Sequence, residues 1–172
     1  RSAVIGSYVI GMSIVYSRID NGSEDAAIVG NSSLVDHGSD GSRIFGNSST
    51  IDASANSLAL GNSISISSSA NTIAIGSSVA IGSASCIAIA TGSAPGSSYI
   101  LTGAANSIII GVDTKLEVDC DHTILIGDAA HIYSGCTPGV AKYSIGIGPN
   151  SSLGYGIGMI AFGATAYASG NN

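Results

Sequence analysis

At 172 residues the chain has the length of one domain, yet only 9% of it is charged, 5% is aromatic, Trp is absent and 24 residues are Gly. It lacks the large side chains of an ordinary globular core. A net charge of -6, with no basic groove or aromatic platform, excludes a nucleic-acid partner, and the longest nearly unbroken apolar stretch, 154–168, falls short of the roughly 20 residues a membrane helix needs.

Taken in order, residues 1–26 carry a repeat poorly. Ile5-Gly6 and Ile10-Gly11 are closely spaced, and Arg18, Asp20, Asn21-Gly22, Glu24 and Asp25 make a polar turn, so this stretch is expected to form irregular first coils. It shows neither an initiator Met nor a signal peptide, and reads as the start of a mature product or excised fragment.

From Ala27 the chain settles into a rhythm that continues to residue 172. Gly30-Asn31-Ser32-Ser33 and Gly46-Asn47-Ser48-Ser49 match each other 16 residues apart; Gly followed by Asn marks a tight corner, because both tolerate positive φ. Asp36, His37, Asp40 and Arg43 fall between these corners, in an expected surface loop.

Residues 53–112 contain no charge and state the repeat most clearly. Asn56-Ser57-Leu58-Ala59-Leu60-Gly61 returns as Asn71-Thr72-Ile73-Ala74-Ile75-Gly76, and again, shortened, as Val79-Ala80-Ile81-Gly82. Alternation within a 15-residue period predicts an all-β fold, a parallel β-roll or β-solenoid whose coils each hold two short strands. The large residues Leu58, Leu60, Ile73, Ile75, Ile87 and Ile89 are expected to point inward in one column, with Ile64, Ile66, Val79 and Ile81 in a second. Ala59, Ala74, Ala80 and Ala88 then form an uncharged outward strip, expected to be the contact between subunits of a homotrimer.

The Asn-Ser-x-Ala-x-Gly phrase at 56–61 and 71–76, and less closely at 106–111, resembles the head repeats of trimeric autotransporter adhesins of the YadA type. The resemblance covers residues 27–163 and is closest over 56–89. It implies a homotrimer of parallel β-rolls at a bacterial cell surface, binding a host surface protein or glycan. Similar repeats occur in phage tail fibres, which gives a virion fibre as the alternative. An ice-binding solenoid is disfavoured, since no regular Thr-x-Thr array recurs.

After Gly92 the coils lengthen, with insertions expected near 93–105 and 128–143; these loops and 36–43 are where a ligand is expected. Between them, Val112 to His122 alternates, with Val112, Thr114, Leu116, Val118 and Cys120 on one face and the charged residues Asp113, Lys115, Glu117, Asp119 and Asp121 on the other, and reads as one strand with a wet side. Asp113, Glu117, Asp119, Asp121 and Asp128 have the oxygens for Ca²⁺, but their spread along a strand favours a solvated face. Cys120, His122, His131 and Cys136 have donor types suited to Zn²⁺ without the spacing of a finger or ribbon, so no metal or cofactor is expected.

Cys120 lies nine residues after Gly111 and Cys136 nine after Gly127. Equivalent corners would place both sulfurs in one column, within disulfide reach; a bridge and two buried thiols are both compatible with this, and Cys86 is left over either way. No nucleophile elbow or phosphate loop occurs. The expectation is therefore a non-enzymatic extracellular attachment protein.

Overall fold

The computed structural model describes residues 17–20, 22–94, 98–132, 143–154 and 156–170, together with the backbone of 8–10. The described residues form two parallel sheets of ten strands. Sheet I contains Tyr8–Ile10, Ala27–Val29, Arg43–Phe45, Leu58–Asn62, Ile73–Ser77, Ile87–Thr91, Ile108–Val112, Ile124–Ile126, Ile145–Ile147 and Ile160–Phe162. Sheet II contains Arg18–Ile19, Leu34–Asp36, Thr50–Asp52, Ser65–Ser67, Val79–Ile81, Ser98–Ile100, Lys115–Leu116, His131–Ile132, Ser152–Leu153 and Tyr167–Ala168. Strands alternate between the sheets along the chain, so each coil supplies one to each and pairs only with its neighbours. This is a parallel β-solenoid.

The ladder begins earlier than the sequence pattern suggests. Tyr8–Ile10 pairs in register with Ala27–Val29, and Arg18–Ile19 with Leu34–Val35, although both lie in the stretch expected to be irregular.

A column of glycines sets the closest approach of the coils. Gly30, Gly46, Gly61 and Gly76 have φ of +148°, +153°, +138° and +131°. A Cβ at Gly46 or Gly61 would lie 1.6 or 1.7 Å from the carbonyl oxygen of the next glycine in the column. No side chain fits there, which is why the repeated phrase ends in Gly. Ala90 interrupts the column, paired between Gly76 and Gly111, and turns its methyl into the interior.

The abundant serine is largely inside. Ser57 N–H donates to Ser42 Oγ (3.1 Å) and Thr72 N–H to Ser57 Oγ (3.2 Å), while Ser57 Oγ–H donates to Ser69 O (3.1 Å). Ser39, Ser54 and Ser69 repeat the pattern at another corner. The hydroxyls of Ser39, Ser42, Ser54 and Ser57 thus each satisfy a corner N–H that has no place in a sheet ladder. Cys86 continues the first column, its thiol donating to Ala104 O at 3.3 Å and burial pushing its pKa up.

The core corrects the predicted phase of sheet I. Ala59, Ala74 and Ala88 are 0% exposed and fill the interior, whereas Leu58, Leu60, Ile73, Ile75, Ile87 and Ile89 face outward, Leu60 and Ile89 being 42% and 43% exposed. The cause is the preceding corner: Ser57, Thr72 and Cys86 already point inward, so period-two alternation puts the next inward position at the alanine. Space is conserved across the coil. Where sheet I offers Ile28 or Ile44, the corner before sheet II offers Ser33 or Ser49; where it offers Ala59 or Ala74, that corner offers Ile64 or Val79. A narrow core filled at near-constant volume explains the exchange. In sheet II, Val79 and Ile81 are buried and Ala80 lies outward, half-buried.

Candidate functional site

The outer faces of the two sheets differ in chemistry. On sheet I, from the strand at Ala27–Val29 to that at Ile160–Phe162, each strand turns two side chains outward, and these form two columns. One runs through Leu58, Ile73, Ile87, Ile108, Ile124 and Ile145; the other through Phe45, Leu60, Ile75, Ile89, Ile110 and Ile126. Arg43 is the one charged residue in the columns, and its guanidinium is folded back onto the carbonyls of Asp25 and Ser42. An apolar face of this extent, with a single charge near one end, is uncommon on a surface that meets only water.

Sheet II is polar. Tyr99, Lys115 and His131 are register partners on three successive strands, and Glu117 ties them together: Tyr99 O–H donates to Glu117 Oε1 at 2.5 Å, and His131 Nε2 lies 3.1 Å from the same oxygen. Lys115 Nζ sits 5.9 Å from the centre of the Tyr99 ring, within cation–π range. Burial and the bond to Glu117 push the Tyr99 phenol up to about 12. The sequence analysis missed this cluster, although Tyr99, Lys115 and His131 recur at the 16-residue coil spacing.

A second polar group occupies a corner after sheet II. Asp36 and Asp52 are register partners, and His37, at φ +50°, reaches Asp52 Oδ1 with Nδ1 at 2.5 Å. The hydrogen bond to Asp52 and the charge of Asp36 raise the His37 pKa. The expected loop 36–43 is itself two corners of the coil, Ser39 and Ser42 being buried within it. Likewise, Ser98–Ile100 and His131–Ile132 inside the expected insertions are strands.

The other candidate residues are dispersed. The run from Val112 to His122 is not one strand: it leaves sheet I at Val112, turns at Asp113 (φ +51°) and re-enters sheet II at Lys115–Leu116. Thr114, Leu116 and Cys120 point inward, while Val112 and Val118 are exposed. Three of the acidic residues cap corners: Asp113 accepts from Ser93 N–H, Asp121 from Ala105 N–H and Asp128 from Val112 N–H. Of the suggested zinc donors, Cys120 is buried, His122 stacks on Tyr143 with centroids 4.8 Å apart, and His131 belongs to the Glu117 cluster. Cys136, and with it the possible bridge to Cys120, lies outside the described residues. Among the described residues no helix is long and apolar enough to cross a membrane. No protein-family model and no curated protein sequence matches the chain.

Proposed function

We propose that the chain is a non-enzymatic segment of an extracellular attachment fibre, a homotrimer packed through the outer face of sheet I and presenting sheet II to its ligand. The apolar double column of sheet I carries this reading. Leucine and isoleucine side chains spaced by the strand ladder, about 4.8 Å apart along the axis, form a ridged strip that can pack against its copies around a common axis. The subunit contact therefore runs through Ile75, Ile110 and their neighbours, in place of the alanines that sequence periodicity suggested. The threefold count follows the resemblance to adhesin heads, and so does the surface localisation.

Sheet II supplies what a binding surface needs. Tyr99, Lys115, Glu117 and His131 offer an aromatic face and hydrogen-bonding groups suited to a glycan or a polar protein surface. Light scattering on the folded chain tests the assembly: three times the chain mass is expected, and a stable monomer at micromolar concentration overturns the trimer. Beads coated with the chain test attachment. Host-matrix or glycan binding that is unchanged by Tyr99→Ala with His131→Ala overturns the role of sheet II.

A further inference from the structure

Asp20, Asp36 and Asp52 stand 16 residues apart, one on each of three coils. Asp20 N–H donates to Val35 O at 2.9 Å, which sets it beside Asp36, and Asp36 pairs with Asp52. Parallel stacking brings such partners within about 4.8 Å, where like charges repel. The chain then turns through His37, whose left-handed backbone swings the imidazole towards the next coil.

The three side chains converge. His37 Nδ1 is 2.5 Å from Asp52 Oδ1 and 3.7 Å from Asp36 Oδ2, and one donor atom from each residue lies within 4.8 Å of the other two. The Asp36 side chain is only 8% exposed. Its Oδ1 accepts the His37 N–H at 2.8 Å, and its Oδ2 faces the His37 imidazole. A carboxylate this largely buried is favoured by a cation beside it.

We propose that Asp36 Oδ2, His37 Nδ1 and Asp52 Oδ1 form a site for a divalent transition cation of the zinc or cobalt class, stapling two successive coils. Two carboxylates and a neutral imidazole balance a 2+ ion, and the mixed oxygen and nitrogen donors suit that class. Calcium fits poorly, since it takes six to eight oxygens. Donors at about 2.0–2.2 Å on a tetrahedral ion stand about 3.3 Å from one another. That separation falls between the two His37 distances, so each of these two contacts changes by less than about 1 Å on binding, while the two carboxylate oxygens, within 4.8 Å, draw together. The His37 side chain is 61% exposed, which leaves an entry path and a fourth position for water.

Cobalt titration of the full chain, followed by visible absorption, tests this. One equivalent is expected to give a tetrahedral cobalt spectrum and raise the melting temperature. His37→Asn, which keeps a residue tolerant of left-handed φ, and Asp52→Asn are each expected to weaken binding at least tenfold and abolish the rise. His122→Ala with His131→Ala should change neither. If His37→Asn and Asp52→Asn, each folded by circular dichroism, bind cobalt as the parent does, the ion is adventitious and the site is refuted. Absence of a cobalt spectrum in the parent at millimolar metal refutes it equally.

Discussion

Sheets I and II are built from the same coils, with the same parallel register and corner chemistry, yet they turn opposite surfaces outward. Sheet I puts alanine inside and isoleucine or leucine outside through its central coils, whereas sheet II puts isoleucine or leucine inside and Thr50, Ser65, Ala80, Tyr99, Lys115 and His131 outside. The hydrophobic effect alone would place the larger residue inside in both. What overrides it in sheet I is the narrow coil, already filled across the gap by Ile64 and Ile66 or Val79 and Ile81, and the inward column of Ser57 and Thr72 that fixes the phase. Alternation identifies a strand, but which of its faces is wet depends on the residue that enters it from the corner.

The strongest way to break this comparison is to place the same charge on an alanine of each sheet. Ala74→Arg should prevent folding or cost more than about 4 kcal/mol, because the guanidinium enters a closed core without a partner. Ala80→Arg, on the outer face of sheet II, should change stability by less than about 0.5 kcal/mol. Chemical denaturation of both variants decides; an Ala74→Arg protein that folds normally and only dissociates would restore alanine to the interface.

Next in size is truncation of isoleucine. Ile66→Ala in sheet II should cost about 2–5 kcal/mol at any protein concentration. Ile75→Ala, outward on sheet I, should act through the assembly, so its melting temperature should fall further as the protein is diluted. Equal, concentration-independent losses would place both residues in one core.

The serine columns allow a finer test. Ser57→Ala should cost about 1–3 kcal/mol, since it strands the Thr72 N–H. Ser151 Oγ is buried with no hydrogen-bond partner among the described residues, between Ala130 and Ala166 in its column, so Ser151→Ala should be neutral or slightly stabilising. A similar loss in both would mean that packing around the hydroxyl matters more than its bonds.

The smallest effect is spectroscopic and confined to sheet II. The Tyr99 phenol is raised from 10 to about 12, so folding favours its neutral form. The associated stability is complete below pH 10 and is lost as pH rises towards 12. Ultraviolet titration at 295 nm of the parent minus Tyr99→Phe should show one late-ionising tyrosine. A difference curve centred at 10 would show that the contact with Glu117 does not persist in solution.

The solenoid, its period and its corners were legible because Gly, in a column where a Cβ would meet the next coil, recurs from Gly30 to Gly163 except at Ala90, with Asn or Ser after it at Gly30, Gly46, Gly61 and Gly76. The phase of sheet I was not legible, since Leu58-Ala59-Leu60 reads equally well in either orientation until Ser57 is known to be buried. Breaking the run 112–122 at Asp113 required knowing that a polar residue there turns left-handed. The polar clusters could have been found. Tyr99, Lys115 and His131, like Asp20, Asp36 and Asp52, recur every 16 residues, and stacking the sequence by coil length aligns both sets.

The coils differ in length without losing register. Leu58 pairs with Ile73, fifteen residues on, whereas Ile87 pairs with Ile108 and Ile124 with Ile145, twenty-one residues on. The ladder beyond each longer coil resumes in step. In evolutionary terms growth and diversification are uncoupled: duplicating one coil lengthens the rod, while adding residues at a bend redecorates its surface, and neither change requires the interior to be packed afresh.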